Sequence, residues 1–158
     1  MDEINTDYLI VGAGALGLSF ADSILEYSDK HITFVDQHAK PGGHWNVAYP
    51  FVTLHQPSAT YGLNSMSFGD DLIDTDGPNK GFYKLATGTQ VLAYFERAMQ
   101  ERFIPSGRVS YYPMSRYQKN ANGEHIIVSS VSGKETRVKV RQKLVDGRAL
   151  AASVPATH

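Results

Sequence analysis

Asp7-Tyr8-Leu9-Ile10-Val11-Gly12-Ala13-Gly14-Ala15-Leu16-Gly17 is the stretch that decides the fold. Its first five residues form an apolar run too short for a helix, which reads as a fully buried strand. Gly12-x-Gly14-x-x-Gly17 follows at once as a tight turn. From Ala15 to Tyr27, the residues Leu16, Phe20, Ile24 and Tyr27 recur at three- and four-residue steps, which predicts a helix with that face inward. Ser28-Asp29-Lys30 ends it. Ile32-Thr33-Phe34-Val35 is β-branched and aromatic and reads as a second buried strand, with Asp36 at its C-terminal end. Strand, glycine turn, helix and strand over residues 6–36 predict a right-handed parallel βαβ crossover.

Each glycine has a physical task in such a turn. Gly12 allows the sharp bend, Gly14 lets a pyrophosphate approach bare backbone, and Gly17 lets the helix lie close to the sheet. The helix start, at Ala15 and Leu16, offers unpaired N–H groups and a partial positive charge to an anion. Asp36 lies nineteen residues beyond Gly17, where a carboxylate accepts hydrogen bonds from an adenosine ribose and disfavours a 2′-phosphate. The plainer alternative is that the glycines serve only the turn and Asp36 only caps a strand. Agreement of strand, turn, helix, second strand and acid at their expected places favours a dinucleotide site.

Outward from this unit, residues 37–86 show no long helical periodicity. They contain Pro41-Gly42-Gly43, Tyr49-Pro50, Gln56-Pro57-Ser58 and Asp76-Gly77-Pro78. A connection this long is usually a binding segment or disordered, and its aromatic content, with the single tryptophan, predicts an ordered one that covers a cofactor. Thr87-Gly88-Thr89-Gln90 carries a capping-box signal. Leu92, Phe95, Met99 and Phe103 then predict one buried face of a helix over 88–103, stopped at Pro105-Ser106-Gly107. Residues 108–146 read as an antiparallel meander with strands at Arg108–Tyr112, Met114–Tyr117, His125–Val131 and Thr136–Val140, turning at Asn122-Gly123 and Ser132-Gly133. Lys143–Gly147 returns toward the parallel sheet, and Ala149–His158 is a tail without a structural signal.

A nicotinamide-binding unit of this type normally continues from its second strand into a helix and a third parallel strand. Here the chain enters Pro41-Gly42-Gly43-His44-Trp45 and the long segment, which favours FAD over NAD, because a flavin needs covering chain. The residues Val11–Gly17, Val35-Asp36 and Gly42-Gly43-His44-Trp45 together resemble the two-dinucleotide-binding flavoprotein superfamily, with flavin-containing monooxygenases as the nearest likeness. The resemblance implies an α/β fold: a Rossmann-like FAD/NAD(P)-binding domain with a parallel central sheet and an antiparallel β-meander crossover. It implies that Gly12, Gly14, Ala15, Leu16, Gly17, Asp36 and Gln37 hold the ADP half of FAD. It also implies that Gly43, His44 and Trp45 line the cofactor channel, that a backbone contact near Val109 meets the adenine, and that NAD(P)H is the reductant. Many relatives end this unit in Ala-Thr-Gly; the corresponding Leu144-Val145-Asp146-Gly147-Arg148 departs from that pattern. A second Gly-x-Gly-x-x-Gly and a later flavin-closing segment are missing, so residues 1–158 read as a single FAD/NAD(P)-binding domain, either an incomplete part of a longer oxidoreductase or a minimal relative.

Composition bounds the rest. With 158 residues, 42% apolar and 20% charged, and a net charge of −1 from interspersed residues, the chain is a globular domain without a basic stripe for nucleic acid. No apolar run is long enough to span a bilayer, and the acidic start lacks a secretory signature, so the expected location is cytoplasmic. The absence of cysteine excludes a local dithiol and a thiolate metal site. The expected partners are FAD and a small-molecule substrate, with a homo-oligomer or a missing C-terminal half left open. His44, His55 and Gln56 face either a ligand or only their own loop. Trp45 either stacks near the flavin or anchors packing. Asp70-Asp71 and Asp74-Asp76 read as solvated surface rather than a cation site. No residue is assigned as acid or base. Two other functions stay open: an NAD-binding dehydrogenase domain, and a non-catalytic dinucleotide-sensing module.

Overall fold

Strand 1 extends further toward the N-terminus than its apolar run. In the computed structural model, which describes residues 1–69 and 72–148, β1 spans Asp2–Val11. Its polar first half is held by cross-strand charges: Lys134 Nζ to Asp2 at 2.6 Å and Lys139 Nζ to Glu3 at 2.7 Å. Helix α1 (Ala15–Tyr27) and strand β2 (Ile32–Val35) complete the βαβ unit, with β2 buried throughout and parallel to β1.

The face that α1 buries differs from the apolar periodicity. Gly17, Leu18, Ala21, Asp22 and Leu25 point inward, whereas Leu16 is 55% exposed and Tyr27 86%. Close packing sets this rotation. A Cβ on Gly17 would be driven into the Gly12 carbonyl oxygen, so the helix touches the sheet through its smallest residues. Phe20 and Ile24 flank the contact, and Phe20 meets Tyr8 edge-on at 5.5 Å.

The segment after β2 is ordered by its own packing. It contains 3₁₀ turns at Gly43–Asn46 and Ser58–Thr60 and a two-strand hairpin, β3 (Gly62–Leu63) with β4 (Met66–Ser67). Trp45, Leu54, Leu63 and Ala86 are buried against helix α2 (Gly88–Ala98). Tyr94 of α2 receives the Leu63 N–H at 2.7 Å and donates to the Met66 carbonyl at 2.5 Å, which fastens the hairpin to the helix. The Thr87/Gln90 capping box forms as expected. The helix continues as a π-turn through Met99–Phe103 and a 3₁₀ turn through Ile104–Ser106, with Phe95, Met99 and Phe103 buried.

Four further strands follow: β5 (Val109–Tyr112), β6 (Ser115–Lys119), β7 (His125–Ser129) and β8 (Glu135–Asp146). They share one six-stranded sheet with β1 and β2, in the order β5-β2-β1-β8-β7-β6. Two expectations are corrected here. Arg108–Tyr112 is not a meander strand, since β5 runs parallel to β2 as the third parallel strand. The crossover that delivers it is residues 36–108, so the unit departs from a simple Rossmann half by insertion rather than by lacking that strand. Thr136–Val140 and Lys143–Asp146 are also one strand, β8, parallel to β1 on one side and antiparallel to β7 on the other. The antiparallel meander is therefore β6-β7-β8, turning at Gly123 (φ 78°) and Gly133 (φ 70°). The fold class is the expected one, an α/β Rossmann-like domain with a parallel sheet centre and an antiparallel meander. The tail expectation for residues 149–158 lies outside the described residues.

Candidate dinucleotide-binding site

Strands β1, β2 and β8 end together, and β1 lies between elements that leave it in opposite directions. The chain passes from β1 to β2 and β5 on one side, then returns to β8 on the other. Such a switch point leaves a crevice beyond the C-terminal strand ends, where ligands of open α/β sheets bind. The glycine turn occupies it. Gly12 has φ +101° and donates its N–H to the Val35 carbonyl at 2.8 Å, which ties the turn to the end of β2. Ala13 donates to Asp36 Oδ2 at 2.6 Å. Asp36 Oδ1 accepts from the His38 backbone at 2.7 Å and lies 3.0 Å from His38 Nδ1.

Sequence placed Asp36 beside the turn, and it is there, 5% exposed. It has a role the sequence did not disclose: its carboxylate is the internal strut of the glycine turn. With about four lone-pair sites on a carboxylate and three of them engaged, there is room for one further donor. Burial, reinforced by the charges of Asp36 and Glu96, pushes the neighbouring Tyr111 phenol far above its ordinary pKa, so it stays neutral.

Gly14 and Gly43 meet back to back. A Cβ on Gly14 would stand 3.2 Å from Gly43 Cα, and one on Gly43 would stand 3.0 Å from Gly14 Cα. The backbone that approaches Gly14 in this structure is thus that of Gly43, joined through the Gly42 N–H to the Ala13 carbonyl at 2.8 Å. Ala15 and Leu16 open α1, which begins without a side-chain cap and without an acidic residue in its first turn. That leaves the start of the helix as a donor-rich, electropositive end, the arrangement a diphosphate fits.

The remaining expected residues divide. Gln37 and His44 are exposed near the turn. Trp45 is a packing anchor: it is buried, its Nε1 donates to the Tyr61 hydroxyl at 3.1 Å, and the His44 ring stacks on it at 5.3 Å. Val109 is not brought to the site. It pairs with Ile32, at the opposite end of β2 from Asp36, roughly 13 Å along the strand at 3.3 Å per residue. The residues of that segment which do reach Asp36 are Tyr112, whose carbonyl takes the Asp36 N–H at 3.0 Å, and Ser115, which donates to the Asp36 carbonyl at 2.8 Å.

Asp74 is turn architecture, accepting the N–H groups of Gly77 at 2.7 Å, Asn79 at 3.0 Å and Asp76 at 3.3 Å. Asp70-Asp71 lies outside the described residues. Among those described, no group of metal-ligating side chains comes together, and no helix is long and apolar enough to cross a membrane. A cleft of about 580 Å³ opens between the covering segment and α2, lined by Phe68, Lys84, Gln90 and Arg97, and it includes no residue of the glycine turn. The site is therefore defined by backbone geometry rather than by depth.

Gly147 was not assigned to the site from sequence. Its N–H donates to the Val11 carbonyl at 2.8 Å, and a Cβ there would meet Val11 O at 3.1 Å and Gly17 Cα at 3.3 Å. The available signal was a glycine closing a strand at the register of Val11, but that register is a long-range fact.

The fold is that of a Rossmann-like, NAD(P)-binding-type domain. Residues 10–70 match the family model for the NAD(P)-binding Rossmann-like domain. Across 152 residues, 96% of this chain, it is 43% identical to uncharacterized proteins of Mycobacterium tuberculosis and Mycobacterium bovis, and it spans 27% of their length. In structure it is similar to the flavin-containing monooxygenase of Stenotrophomonas maltophilia (TM-score 0.64, 21% identity, covering 94% of this chain and 39% of that one). It is also similar to the polycyclic ketone monooxygenase of Thermothelomyces thermophila (TM-score 0.67, 18% identity, 93% and 23%). A third likeness is to the bacillithiol disulfide reductase of Bacillus cereus (TM-score 0.65, 13% identity, 90% and 39%).

Proposed function

We propose that this chain is the FAD-binding part of a flavin-dependent oxidoreductase. The observation that carries the reading is the bare, uncapped start of α1 facing the strand ends, with the Asp36 carboxylate locked to the same turn. In this role the N–H groups at Ala15, Leu16 and Gly17 bind the diphosphate, and Asp36 offers its remaining acceptor site to the ribose. Gly43 and its neighbours wall the crevice, and residues 37–86 exclude water from it. FAD bound there would supply hydride acceptance from NAD(P)H and transfer to an acceptor or to oxygen. The structural likeness to two monooxygenases and a disulfide reductase supports this chemistry.

One observation favours the second reading, a nicotinamide-binding dehydrogenase domain: β5 completes a run of parallel strands beyond β2. The purified chain separates the two. Flavin absorbance, with FAD recovered on denaturation and micromolar or tighter rebinding of FAD, is the expected result. A colourless chain that binds NAD(H) in calorimetry and ignores FAD would replace the first reading with the second. FAD bound tightly but never reduced by NAD(P)H in the full-length protein would point to a sensing module.

A further inference from the structure

We propose that Arg148 is a further anchor for the anionic diphosphate, on the β8 side of the crevice, with Asp146 holding its guanidinium in place. The inference rests on the dinucleotide reading above and extends it to a residue outside the glycine turn.

The position follows from register. β8 is parallel to β1 and ends level with it, with Asp146 opposite Val11. Gly147 is pressed against the turn, since a Cβ on it would stand 3.2 Å from the Gly12 carbonyl oxygen. The next residue is therefore delivered to the crevice. Both the backbone nitrogen and Cγ of Arg148 lie 3.5 Å from the point where a Gly12 side chain would begin.

The head group is held and only partly used. Nε donates to Asp146 Oδ1 at 2.9 Å and Nη2 to Oδ2 at 2.7 Å, while the Arg148 backbone donates to Oδ1 at 3.1 Å. A guanidinium has five N–H donors in a rigid fork, and this side-on pairing engages two. The Nη1 edge makes no hydrogen bond among the described residues, and the side chain is 55% exposed. That planar edge matches phosphate oxygens. The same pairing holds the Asp146 carboxyl down at about 2, so it stays ionised and keeps its grip across the neutral range. A diphosphate at the start of α1 meets only a partial charge of about half a unit from the helix. Among the described side chains packed on the turn, Arg148 brings a guanidinium whose Nε–Nη2 edge is paired with the Asp146 carboxylate, so its contribution is the directed N–H donors of the Nη1 edge rather than an uncompensated charge.

Calorimetric titration of ADP, FAD and adenosine into the wild-type chain, Arg148→Ala and Arg148→Lys tests this, with thermal midpoints recorded for each. Arg148→Ala is expected to weaken ADP and FAD by roughly 10- to 100-fold, the range for a charge-assisted hydrogen bond. Adenosine affinity is expected to stay the same, and the salt dependence of ADP binding to become shallower. Arg148→Lys should recover part of the loss, because it restores charge without the fork. Unchanged ADP and FAD affinity in Arg148→Ala, or an equal loss for adenosine, would overturn the proposal and leave the dinucleotide reading standing. Failure of the wild-type chain to bind ADP or FAD would instead remove that reading, and this inference with it.

Discussion

At the residue scale the glycines of the site and of the meander answer to different neighbours, and substitution should separate them. Gly17 faces a backbone carbonyl that cannot move without disturbing β1. Gly17→Ala is therefore expected to destabilise by about 3 kcal/mol or more, as overpacking against rigid chain does. Gly123 has open space around it, and Gly123→Ala should cost only about 1–2 kcal/mol for its left-handed backbone. Urea midpoints of the two variants check the order. Gly14→Ala should fall between them and should also lower dinucleotide affinity, since its Cβ pushes against Gly43. Asp36→Ala is expected to cost roughly 1–3 kcal/mol twice over, once in stability and once in FAD affinity. It strands the Ala13 and His38 N–H groups as well as removing the proposed ribose acceptor. A variant of normal stability and normal affinity would mean that the carboxylate serves neither purpose.

At the element scale, the covering segment is held by few but specific ties. Asp22, buried in α1, accepts from Arg102 Nε at 2.5 Å and from the Ser65 hydroxyl and backbone. It joins α1, the β3–β4 hairpin and the π-turn in one network. Asp22→Ala should loosen the hairpin by about 1.5–3 kcal/mol, seen as faster amide exchange at Leu63 and Ser65 before global unfolding. Thr87→Ala removes the α2 cap and should cost about 1 kcal/mol of global stability by urea denaturation, without moving FAD affinity. The helix periodicities show how far local rules reach. Phe95, Met99 and Phe103 lie inward as their spacing requires, because amphipathic α2 and the π-turn that continues it share one buried face. The Leu16–Tyr27 stripe fails because α1 is rotated by the close approach of Gly17, a constraint of packing distance that hydrophobicity does not encode.

At the scale of the whole molecule, acid stability follows from its carboxylates. Asp146 is held at about 2 by the Arg148 hydrogen bonds. Asp7 is lowered by the His31 N–H and by Arg141, and Asp74 by the N–H of Gly77 and its neighbours. A depressed folded value means that the unfolded chain takes up protons first. The stabilisation is thus complete above the ordinary aspartate value of about 3.9 and is lost as pH falls toward the folded values. Thermal midpoints should hold level down to about pH 4 on account of these groups and then decline toward pH 2. Arg148→Ala should flatten part of that decline. A midpoint unchanged between pH 4 and pH 2 would contradict the assignment.

The local parts of this protein were settled by its sequence alone. A strand–glycine turn–helix–strand unit, an acid at the tip of the second strand, a capped second helix and two glycine hairpins all follow from rules spanning a few residues: side-chain period, turn conformation and end-capping. Pairing across the chain was decided only by tertiary structure. It set β5 beside β2, fused two apparent strands into β8, turned Trp45 into the core, left Val109 at the wrong end of its strand, and brought Gly43, Gly147 and Arg148 to the glycine turn. Those placements depend on which surfaces meet and how closely, and contact between residues tens of positions apart or more leaves no periodic trace in either segment.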